Sequence, residues 1–87
     1  MKHYIATLAE RNGEYLYSHV FKMRARNESS ARSRLLKIAG KWYEGSRDKS
    51  DTGYYFHGGE VHVEPGRLQE VSQAAYDEIT LIEELHE

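Results

Sequence analysis

The sequence predicts an α+β fold. The expected form is a ββαββα two-layer sandwich, in which a four-stranded, mainly antiparallel sheet carries both helices on one face. Three observations lead there. Asn12-Gly13 and Gly58-Gly59 each sit between runs that alternate apolar and polar residues, the signature of a tight turn joining two antiparallel strands. Each such hairpin is followed by a stretch with apolar residues at helical spacing, NESSARSRLLKIAGKWYEG and then QAAYDEITLIEELHE. With 87 residues, of which 39% are hydrophobic, the chain can build one domain but no deep pocket. The expected division of residues 1–87 is a hairpin-helix unit over 3–44, a connector over 45–53, and a second hairpin-helix unit over 54–86.

In the first hairpin, a two-residue turn at Asn12-Gly13 sets Leu8 opposite Tyr17, Ala6 opposite His19 and Tyr4 opposite Phe21. This set, continued by Met23 and Ala25, is the expected core face. Ile5, Val20, Ala9 and Leu16 fall on the other side, which is too apolar for a fully solvated surface and implies a covering partner or a homodimer seam.

Asn27 is a natural N-cap for the helix that follows, Glu28 suits its first turn, and Gly45 is the expected C′ residue. Ala31, Leu35, Ile38, Ala39 and Trp42 form its inner stripe. Gly40 inside it costs up to ~1 kcal/mol relative to alanine, and allows close packing on the sheet. Residues 45–53 read as a solvated, mobile connector.

In the second hairpin Phe56 faces Val61 and Tyr54 faces Val63, and the return strand bends at Pro65-Gly66 before resuming through Leu68 to Val71. Ser72 caps the last helix, with Val71 and Tyr76 as its hydrophobic staple. Ala75, Ile79 and Ile82 make its inner side. Asp77, Glu78, Glu83, Glu84 and Glu87 make an acidic outer one.

Charge separates along the chain. Residues 1–50 hold eleven Lys and Arg against five Asp and Glu, a balance of +6, and residues 51–87 hold one Arg against nine acids, a balance of −8. Opposed surfaces of this kind steer and select partners. The absence of cysteine removes disulfides, thiolate metal sites and cysteine nucleophiles together. Apolar runs are too short to span a membrane, so no membrane association is expected, and the expected location is cytoplasmic.

Three groups of residues carry candidate chemistry. Tyr55, His57, Glu60 and His62 share the outward face of the second hairpin, where His and Glu could ligate a divalent ion or exchange protons. A solvent-facing cluster is the simpler reading, since the group offers at most three ligands and matches no metal or catalytic motif; no metal or cofactor is expected. Arg32, Arg34, Lys37 and Lys41 form a basic helix face, a footprint for nucleic acid or for an acidic partner. Asp77, Glu78, Glu83 and Glu84 form a carboxylate row that imitates a phosphate backbone toward a basic groove. Trp42 is expected in the core and His19 as a half-buried, hydrogen-bonded histidine. No serine, histidine and acid can be placed as a triad.

The strands YIATLAERNGEYLYSHVFKMRA, the helix start NESSARSRLL and the tail YYFHGGEVHVEPGRLQEVSQAAYDEI together resemble the small accessory proteins of phages and plasmids, of the anti-restriction and anti-CRISPR type. That resemblance implies a compact, non-enzymatic inhibitor of a host-defence complex. The expected function is therefore non-catalytic binding of a larger protein or nucleoprotein through charged surfaces. The alternatives are nucleic-acid binding by the basic helix, and a metal-binding or metal-dependent activity at His57 and His62.

Overall fold

Alternation with a period of two runs through the first 25 residues, and the computed structural model, which describes residues 1–86, turns it into one long hairpin. The chain order is β1 (Lys2–Asn12), β2 (Tyr15–Ala25), α1 (Glu28–Gly40), β3 (Arg47–Lys49), β4 (Tyr54–Phe56), β5 (Val61–Val71), α2 (Gln73–Glu78) and β6 (Glu83–Leu85). These strands make a single six-stranded sheet in the order β3-β4-β5-β1-β2-β6. The expected four-stranded sheet is thus corrected to six. Both extra strands come from segments too short and too polar to show a strand period.

β1 and β2 pair along their whole length. Asn12 opposes Tyr15, so the turn residues are Gly13 and Glu14, one place later than expected. Gly13 has φ +60 and Glu14 does not enter the positive-φ region, which is the φ pattern of a type II′ turn with glycine first. Partners therefore slide by two, and Leu8 meets His19, Ala6 meets Phe21 and Tyr4 meets Met23. A slide of two preserves parity. The expected inner face survives, with Tyr4, Ala6, Leu8, Phe21, Met23 and Ala25 all buried.

α1 begins where its cap predicts, with Asn27 Oδ1 accepting from Ser30 N at 2.8 Å. Its buried residues Ala31, Leu35 and Ala39 join the same core as Phe56, Val61 and Val63. The helix stops at Gly40 and Gly45 is not its C′ residue. Gly40 is buried, its carbonyl accepts from the Arg47 guanidinium, and a Cβ there would lie 2.9 Å from the Tyr54 ring. Trp42 follows the helix end, half-buried against the core.

The expected connector 45–53 contains β3, paired antiparallel with β4. Tyr54 opposes Val63, Tyr55 opposes His62 and Phe56 opposes Val61, as the Gly58-Gly59 turn implied. β5 runs unbroken past Pro65, with a register shift against β1 between Ala6 and Leu8. There Gly66 passes so close to Thr7 that a Cβ would overlap its Oγ1, which instead accepts from Arg67 N at 2.7 Å. The interruption is a bulge.

The last helix is less than half the expected length. Ser72 caps it, accepting from Ala75 N at 3.1 Å, but it ends at Glu78, and Ile79 is extended. A helix reaching residue 87 would have gathered carboxylates without cations at its negative end and set Glu83 and Glu87 a repelling four residues apart; Glu87 itself lies outside the described residues. Instead β6 pairs parallel with Phe21–Met23 of β2, and Leu85 packs on the core.

The helices lie on opposite faces, which corrects the expected single helical layer. α1 covers the face of Tyr4, Ala6 and Leu8. Tyr76 of α2 packs on His3 with ring centroids 5.0 Å apart, with Lys22 Nζ 4.5 Å and Arg24 5.3 Å from its ring. His3, Lys22 and Arg24 alternate with Tyr4, Met23 and Ala25, so they belong to the other face. Among the described residues no helix is long and apolar enough to cross a membrane.

Candidate functional site

Two of the four basic residues on the helix face have partners within the fold. Arg32 pairs with Glu28 at 3.4 Å. Arg34 donates to the carbonyls of Arg24 and Leu85, tying α1 to the ends of β2 and β6. Lys37 and Lys41 remain exposed and without a salt bridge among the described residues. Two lysines are a small footprint for a phosphate backbone, whose affinity grows with each neutralised charge.

The acidic row is dispersed. Asp77 and Glu78 sit in the last turn of α2, while Glu83 and Glu84 are consecutive strand residues and point to opposite faces. Glu84 accepts a hydrogen bond from the Tyr76 hydroxyl. That bond holds its carboxyl below the usual range against a desolvation that raises it, and the charges of His86, Arg24 and Lys22 add to the lowering. Tyr76 in turn is pushed up to about 12, by burial first and then by the bond to Glu84 and its charge.

The cluster on the second hairpin divides in two. Tyr55 and His62 stay together, with ring centroids 4.6 Å apart. His57 has φ +54, so strand alternation ends there, and its ring meets Tyr43, 5.4 Å away, on the helical side. Glu60 is exposed in the turn. Among the described residues no three His, Cys, Asp or Glu side chains converge to hold a metal ion.

His62 has gained other company. Its Nε2 lies 2.7 Å from Ser50 Oγ, and its Nδ1 lies 3.5 Å from Glu64 Oε2, which also accepts from the Thr52 hydroxyl. The order is that of a serine, base and acid relay, assembled from a segment that reads as a connector. Ser50 Oγ, however, accepts from Gly53 N at 2.8 Å and from Thr52 N at 3.4 Å. With both lone pairs engaged, the oxygen staples the loop.

Two features escaped the sequence reading. Glu10 is only 4% exposed, yet it is ringed by partners. The Tyr43 hydroxyl donates to it and His19 Nε2 lies 2.7 Å from its Oε1. Burial alone raises its carboxyl, but the bonds from Tyr43 and His19, the His19 charge and the Trp42 indole outweigh this and hold it below the usual value. Above the carboxylate an aromatic strip runs along β2. Tyr15 and Tyr17 rings are 6.5 Å apart, Tyr17 and His19 are again 6.5 Å apart, and Trp42 is 4.7 Å from His19. Glu10 and His19 at matched parity in an otherwise apolar face were the available signal.

The second feature is the outer edge of β2. β6 pairs only with Phe21, Lys22 and Met23, so among the described residues no strand lies on the outer side of residues 15–20, away from β1. Tyr15 is 69% exposed, Leu16 79% and Val20 42%, while Ile5 and Ala9 on the open face are half-buried. The segment YLYSHV holds no Lys, Arg, Asp, Glu, Pro or Gly. No protein-family model matches this chain, and no curated protein or solved structure matches it either.

Proposed function

We propose that the chain is a small, non-catalytic binding protein that receives an extended segment of a larger protein on the outer edge of β2. The observation that supports this reading is the bare edge at residues 15–20, on whose outer side no strand lies among the described residues. Edge strands in soluble sheets are guarded by lysine, proline, bulges or a cover, because unpaired N–H and C=O groups recruit further strands. YLYSHV carries none of these guards. Strand addition supplies affinity through main-chain hydrogen bonds and specificity through alternate side chains. The polarity of charge along the chain would orient the encounter without supplying most of the affinity. The resemblance to phage and plasmid accessory proteins suggests the process: occupation of a protein surface in a host-defence complex.

The test is affinity capture with the wild-type chain and with a Leu16→Lys, Val20→Lys variant. Both positions are exposed, so the melting temperature should hold while the captured partner is lost. A variant that retains the same partner places the interface elsewhere and overturns the proposal.

A further inference from the structure

The two sides of the bare edge differ, and the difference specifies the segment that fits it. Tyr15, Tyr17 and His19 project to the side of α1, and Leu16, Ser18 and Val20 to the open side. An added strand must alternate in the same way, placing every second side chain among the aromatic rings.

Acidic residues neighbour this strip along the chain and at its turn. Glu14 precedes Tyr15 in the turn, Glu60 is held beside that turn by Gly13 N donating to its carbonyl at 3.1 Å, and Glu44 follows Tyr43. Elsewhere in the molecule exposed cations already seek tyrosine faces. Arg47 lies 4.7 Å from the Tyr54 ring centre and Lys49 5.9 Å from it, as Lys22 and Arg24 lie over Tyr76. Among the described residues Tyr15 and Tyr17 have no such cation, although their near-parallel rings stand 6.5 Å apart. Both rings are exposed, so a guanidinium laid on either can come within the ~6 Å reach of a cation–π contact.

We infer that the partner segment is an extended strand with arginine or lysine at every second position, cations over Tyr15 and Tyr17, and apolar side chains over Leu16 and Val20. This rests on the strand-addition reading above. A second copy of the chain is the competing occupant. Its own residues 15–20 offer no Lys or Arg to the rings, so the aromatic side, with acidic residues neighbouring it, favours a foreign basic segment.

The test measures anisotropy of dye-labelled, acetylated hexapeptides alternating arginine with valine or glutamine with valine, titrated with the full chain. Two exposed cation–π contacts should favour the arginine peptide by about five- to twentyfold. A Tyr15→Ala, Tyr17→Ala variant, altered at exposed positions only, should erase that preference while still binding the glutamine peptide. Equal binding of both peptides overturns the cationic preference and leaves strand addition standing. Failure of both peptides to bind, with or without a dimeric mass in sedimentation, overturns the two together.

Discussion

His19 Nε2 donates to Glu10 Oε1 at 2.7 Å across the β1–β2 ladder, and the Tyr43 hydroxyl donates to the other carboxylate oxygen. A buried carboxylate of this kind is tolerable because its lone pairs are filled by donors from two separate elements. Glu10 therefore belongs to the joint between the sheet and the end of α1.

Glu10→Gln replaces one acceptor oxygen with an NH2 group facing a donor, and should lower unfolding free energy by about 1–3 kcal/mol at neutral pH. Urea denaturation measures this. Because the folded carboxyl titrates below its ordinary value of 4.5, the wild-type advantage is complete above that pH and disappears as pH falls through the lowered folded value. The gap between wild type and Glu10→Gln should thus be present at neutral pH and close in acid. A constant gap down to strongly acidic pH would contradict the assignment.

Tyr76, pushed up to about 12, predicts an alkaline counterpart. A group whose folded value is raised contributes stability below its unfolded value and loses it as pH rises through the folded one. Ultraviolet titration of the seven tyrosines should show a late transition from Tyr76, beside that of Tyr43, which its bond to Glu10 also raises, with loss of stability between the ordinary value of 10.0 and about 12. Tyr76→Phe should remove that late transition and leave the others in place.

Gly66→Ala should destabilise the sheet by roughly 1–3 kcal/mol, because the new methyl overlaps Thr7 Oγ1 and displaces the acceptor of Arg67 N. Thr7→Ala removes the obstacle, so the double variant should recover part of the loss. A thermal-melt double-mutant cycle with no coupling would rule out this contact as the reason for glycine.

Removal of residues 83–87 should expose the remaining edge of β2 at Phe21–Met23 and uncover Met23, which is fully buried when β6 is in place. Self-association measured by sedimentation velocity should increase relative to the full chain. Addition of Leu16→Lys and Val20→Lys to the truncated chain should reverse it, since charges on an edge oppose strand pairing.

Particular elements show what could be read in advance. The inner face of the first hairpin was legible although its turn lies one residue later, because the resulting slide of two leaves every side chain on its own face. The caps at Asn27 and Ser72, and the pairing of Tyr54, Tyr55 and Phe56 with β5, were equally legible, since each depends on residues close in sequence. The Glu10 joint was not, as Tyr43 reaches it from 33 positions away. The Ser50–His62–Glu64 contact was hidden because Ser50 lies in a segment without periodicity.

Spacings of two to four along the chain are enough to give the α+β class, the start of each helix and the alternation that selects core residues. The strand at the tail, the helices on opposite faces and the bare edge at residues 15–20 arise in the assembled fold alone. Those outcomes depend on which distant segment finds an unpaired ladder and an unfilled core, a competition between long-range contacts that short-range periodicity does not encode.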